Sequence, residues 1–68
     1  MFKANLFKSL LFARNKTVDD IAQIIGVNKV TLYRKMNGVS DFTRNEIQLI
    51  RHELALSADE VTDIFFAD

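Results

Sequence analysis

Residues 17–38, TVDDIAQIIGVNKVTLYRKMNG, decide how this chain is read: they predict two short helices joined by a tight turn. The Thr17 hydroxyl is placed to accept from the exposed amides of an opening turn. Asp20, three residues on, completes a capping-box-like pair, so a helix starts at Val18. Ile21, Ala22 and Ile25 share one face at helical spacing, whereas Asp19, Asp20 and Gln23 fall elsewhere on the cylinder. Gly26 follows the last of these apolar residues, where a helix commonly ends in the left-handed conformation that glycine adopts without a Cβ penalty. Asn28 is a good N-cap for the second helix. Leu32 and Met36, four apart, give that helix its inward stripe, and Asn37-Gly38 stops it. Its other face carries Lys29, Thr31, Arg34 and Lys35.

Outward from this unit the pattern stays helical. Residues 4–14 predict a first helix with Leu6, Leu10 and Ala13 on one face, Phe2 extending it and Phe7 and Leu11 widening it. So broad an apolar face implies burial against several neighbours and leaves Phe12 without a place. Asn15 ends this helix, because asparagine tolerates the left-handed position. Residues 39–42 read as a short polar loop whose aromatic, Phe42, plugs the core. Thr43 and Glu46 have capping-box spacing, and Ile47, Ile50 and Leu54 follow at helical period. A fourth helix is therefore expected over about residues 44–54, with Leu49 beside its stripe and His52 on the solvated surface. Ser57 and Glu60 repeat the spacing and begin a fifth helix whose Val61, Ile64 and Phe65 face inward, with Phe66 outside that stripe.

Length and composition bound the rest. At 68 residues, 49% hydrophobic and 26% charged, the chain suits one small domain. It has no cysteine and a single histidine, so no disulfide framework, metal site or cofactor is expected. No Gly-rich phosphate loop or catalytic spacing is present, which argues against an enzyme. No apolar run approaches the roughly 20 residues that span a bilayer, and the N-terminus lacks a signal-peptide pattern. A cytoplasmic protein of bacterial or phage origin is the expectation. Net charge is zero, yet it is unevenly spread. Residues 1–44 hold eight cations against Asp19, Asp20 and Asp41, a balance of +5; residues 45–68 hold Arg51 against six acids, a balance of −5. Such asymmetry would turn the basic part toward phosphate and hold the acidic part away.

The helix pair resembles the helix-turn-helix of phage repressors and Cro proteins, with Ala22, Gly26 and Leu32 carrying the likeness. Ala22 lets the second helix cross closely over the first, Gly26 makes the turn in the fewest residues, and Leu32 anchors the second helix so that its outer face projects. The resemblance extends over most of the chain. Small repressors of this type also have five short helices, with a Phe-Thr-x-x-Glu-like start to the fourth, here Phe42-Thr43-Arg44-Asn45-Glu46. One position departs: Lys35 stands where family members often have an apolar residue, and Met36 is expected to take over its packing.

The resemblance implies an all-α, compact five-helix domain of the lambda repressor-like kind over residues 1–68. It also implies a sequence-specific regulator of double-stranded DNA that reads the major groove with residues 29–36. Asn28, Lys29, Val30, Thr31, Tyr33 and Arg34 are the expected base contacts, and Lys16, Thr17, Lys35, Asn37, Phe42, Thr43 and Arg44 the expected phosphate contacts. A homodimer on the DNA operator is expected, formed either free in solution or only on the DNA, with Leu56, Ile64, Phe65 and Phe66 as its contact. The alternative is a protein-interaction module such as an antitoxin or anti-repressor subunit, for which exposed aliphatics would be the sign. RNA is disfavoured by the lack of an aromatic platform for unpaired bases.

Overall fold

Among the described residues, four helices begin where a short polar side chain takes up a free amide. The computed structural model describes residues 1–66, in the order α1 (Ala4–Ala13), α2 (Val18–Ile25), α3 (Lys29–Met36), α4 (Arg44–Leu54) and α5 (Ala58–Val61). Asp68, counted above among the acids, lies outside them. Thr17, Thr43 and Ser57 each accept from the amide three residues on, while the Asp20, Glu46 and Glu60 carboxylates accept from the cap residue's own N–H. All three are complete capping boxes. Gly26 closes α2 at φ 75°, as expected, and Asn15 takes a left-handed φ of 57° after α1.

Two helix ends depart from the sequence reading. Ala55 caps α4 in the left-handed region at φ 52°, where an L side chain is disfavoured by about 1–2 kcal/mol. The conformation is held because the Leu56 N–H donates back to the Arg51 carbonyl at 2.9 Å while the Leu56 side chain is buried. The fifth helix keeps α geometry only through Val61 and widens into a π turn over Thr62–Phe66. Thr62 Oγ1 donates to the Ala58 carbonyl inside this stretch, a local bond that competes with regular helix. Midway along it the Ile64 carbonyl accepts from the Lys3 N–H at 2.8 Å, which ties the start of α1 to the last turn.

That tie sets the roll of α1 and corrects its predicted face. Phe7 and Leu11 are its buried residues, Leu10 is half-buried, and Leu6 and Ala13 are exposed. The helix is rolled so that Phe7 meets Phe2 edge-on at 5.2 Å between ring centroids. Phe2 in turn lies 4.9 Å from Phe42 and 5.3 Å from Phe65. Such aromatic pairs add about 0.5–1.5 kcal/mol each beyond their buried area. Phe12 points into solvent, 86% exposed.

The core is one apolar cluster drawn from every helix, with Ile21, Ala22, Ile25, Leu32, Met36, Ile50 and Leu54 at its centre and no buried polar side chain among the described residues. α2 packs against both α3 and α4, and α1 against the π turn. Leu56 and Ile64 belong to this core, at 5% and 0% exposure, and Phe65 is half-buried in the aromatic cluster. The expected dimer contact is corrected accordingly: Leu56 and Ile64 are spent inside the chain, and Phe66 alone of the four is well exposed.

Candidate nucleic-acid interface

α3 is a short helix held at both ends and along one side. Asn28 Oδ1 accepts from the Thr31 N–H at 2.8 Å, and at the other end the Val39 N–H donates to the Arg34 carbonyl at 2.9 Å around Gly38, φ 81°. Leu32 and Met36 are buried, so the face opposite them must be exposed. On that face Val30, Tyr33, Arg34 and Asn37 follow one another at i, i+3, i+4 and i+7, all exposed. They offer a branched apolar group, a phenol, a guanidinium and a carboxamide in one row. Arg34 enters no side-chain hydrogen bond or ion pair among the described residues.

The other expected base contacts stand beside this row. Lys29 is exposed and 3.4 Å from Asp19 Oδ1, an ion pair open to solvent and worth at most about 1 kcal/mol, so phosphate or base can take the lysine over. Thr31 is half-buried, and the Asn28 side-chain Oδ1 is engaged as the cap.

Lys35 is not on the exposed face. Its ammonium lies 3.0 Å from Glu46 Oε1 and donates to the Asp41 carbonyl at 3.0 Å, 6.0 Å from the centre of the Phe42 ring, with both charged side chains only 11–12% exposed. It is a strut between α3 and the start of α4. Met36 fills the apolar position, as the sequence reading expected. Phe42 packs as the sequence reading expected, its ring on Phe2 and on Phe65, which leaves its backbone for any phosphate contact.

Around the row the expected phosphate contacts divide. Asn37 and Arg44 are exposed, and Arg44 has no side-chain partner among the described residues. Lys16 is 3.9 Å from Glu53, a partly screened pair. Thr17 and Thr43 are caps whose oxygens are taken, although each hydroxyl still carries a hydrogen to donate. The helix N-termini behind them are uninviting to an anion, because a carboxylate already occupies each. Asp20 is held below the usual carboxylate range chiefly by the Thr17 backbone N–H. Burial works against ionisation of Glu46, but the Thr43 N–H and Lys35 outweigh it and lower its pKa.

The charge halves also interleave. Arg14–Glu60, Lys16–Glu53 and Lys35–Glu46 each join a basic-half residue to an acidic-half one, so the end-to-end polarity inferred from the sequence is partly cancelled within the fold. Two features escaped sequence reasoning. Val39, in the loop expected to be polar, is 74% exposed just past α3. Arg44, Gln48 and Arg51, at i, i+4 and i+7 on α4, line a shared groove, a spacing that was legible beforehand. No helix among the described residues is long and apolar enough to cross a membrane. Comparison with known protein families and with curated proteins gives no match.

Proposed function

We propose that this chain is a sequence-specific DNA-binding regulator of the phage repressor or Cro type, in which α2, the turn at Gly26 and α3 act as a helix-turn-helix. The observation that carries the reading is the exposed row Val30, Tyr33, Arg34 and Asn37, backed by the buried anchors Leu32 and Met36. Arg34 would fork onto the O6 and N7 of a guanine, Val30 would meet a thymine methyl, and Lys29 at the start of the helix would reach an adjoining base or phosphate. Asn37, Arg44 and the Thr17 and Thr43 hydroxyls would fix the register on phosphates.

One α3 covers few base pairs. We extend the proposal to two copies on a near-palindromic site with half-sites about 34 Å apart, one turn of duplex. Because Leu56 and Ile64 are internal, the two copies are expected to pair on DNA and to be monomeric without it.

Selection of sites from random duplexes, followed by the mass of the complex, tests both statements. Recovery of paired half-sites holding two chains supports them, and an asymmetric site saturated by one chain refutes the second. Arg34→Ala should cost about 1–3 kcal/mol on the selected site and relax preference at one base pair. An equal loss on random DNA would remove Arg34 from the reading set.

A further inference from the structure

On the side of α4 that faces α5 runs a groove of about 520 Å³. Its α4 bank carries Arg44, Gln48 and Arg51, and across it Val61 and Phe66 make an apolar wall. Arg44 and Arg51 stand two helical turns apart, about 10.5 Å along the axis. Neither guanidinium has a hydrogen-bond or ion-pair partner among the described residues, and no carboxylate lines the groove. Phe66 is 61% exposed at the groove's edge, a large aromatic surface left in water.

We infer that this groove receives an acidic amphipathic segment of another protein. One bulky apolar side chain of that segment rests against Val61 and Phe66, and its carboxylates meet Arg44 and Arg51. Charge decides among the occupants. A second copy docking groove to groove about a twofold axis would set the arginine pairs of the two copies against each other, and like charges in a small interface oppose association. Nucleic acid is disfavoured because the apolar wall of Val61 and Phe66 gives a continuous row of phosphates nothing to meet. A segment with spaced carboxylates and an apolar anchor satisfies both banks, in the manner of an amphipathic helix laid in a groove. Arg44 is shared with the proposed DNA contacts; Arg51 belongs to the groove alone.

A displayed library of short helical peptides, panned on the intact chain, tests the inference. Enriched sequences should carry two carboxylates about two turns apart around a bulky apolar residue. Their affinity should fall about tenfold or more for Arg51→Glu, as for a lost and reversed charge contact. Substituting lysine for one peptide carboxylate should restore binding to Arg51→Glu, which separates a lost contact from a damaged fold. Binding of the selected duplex should be unchanged in Arg51→Glu. No enrichment over an Arg51→Glu column, or enriched peptides indifferent to Arg51, overturns the inference. So does a dimer of the free chain, seen by sedimentation, that Arg51→Glu dissolves. An equal loss of duplex and peptide affinity would assign the groove to DNA instead.

Discussion

Lys35→Met tests the most consequential reassignment, from a phosphate-binding lysine to an internal strut. Methionine keeps most of the apolar stem and removes the ammonium that lies 3.0 Å from Glu46 Oε1 and 3.0 Å from the Asp41 carbonyl. Hydrogen bonds to charged groups contribute about 1.5–3 kcal/mol each, and a largely covered pair is little screened. The loss is moderated because Glu46 keeps its two capping-box bonds with Thr43 and because methionine packs against Phe42. A destabilisation of about 2 kcal/mol results. In a domain this small, whose core rarely supplies more than about 3–5 kcal/mol, that is a large share of the total. At about 4–8 °C per kcal/mol, the thermal midpoint should drop by about 8–16 °C. Urea unfolding monitored by circular dichroism gives the free energy. A double-mutant cycle with Glu46→Gln, which retains an acceptor for the Thr43 N–H, should give a coupling of about 1–2 kcal/mol. At a temperature where the variant is folded, the salt dependence of the proposed DNA binding should match that of the parent chain. A cost under about 0.5 kcal/mol, the range of an ordinary surface change, or a salt slope reduced by about one, would refute the strut and return Lys35 to the DNA face.

Three further outcomes are expected. Ala55→Gly should raise stability by about 0.5–1 kcal/mol, since glycine relieves the left-handed φ of 52° and gives back part of the gain as chain entropy; denaturant midpoints measure it. Arg44→Gln should weaken binding alike on selected and random duplexes and lower the slope of log affinity against log salt by about one, read by titration at several salt concentrations. Acid should destabilise the fold. The Asp20, Glu46 and Glu60 carboxyls are all more acidic folded than their ordinary values of 3.8, 4.5 and 4.5, so the unfolded chain binds more protons between the two values. Their contribution is therefore complete above about pH 4.5 and is lost as pH falls through the lowered values. Urea titrations from pH 7 to pH 3 follow that loss, and Glu46→Gln should make it shallower.

The helix starts and most of the stops were legible in the sequence, because the interactions that set them close within a few residues. Thr17 with Asp20, Thr43 with Glu46, Ser57 with Glu60 and Asn28 with Thr31 each bond across three positions, so their chemistry is present in any chain that carries the spacing. The inward stripe of α3 follows from the same local period, as do Lys29 and Arg34 on its outer face, whereas Thr31 and Lys35, expected there too, are half-buried. Contacts between distant residues decided the rest. The Lys3 bond to the Ile64 carbonyl and the packing of Phe2 on Phe42 and Phe65 roll α1 onto Phe7 and Leu11, whereas its own sequence offered one broad apolar face with no preferred centre. Lys35 reads as basic surface until Glu46 and the Asp41 carbonyl fold over it, and the last turn reads as a contact patch until Leu56 and Ile64 enter the core. Local bonds are written by spacing along the chain; the destination of a long cation or an ambiguous apolar face is set by whichever neighbour desolvates it, and only the packed helices supply that neighbour.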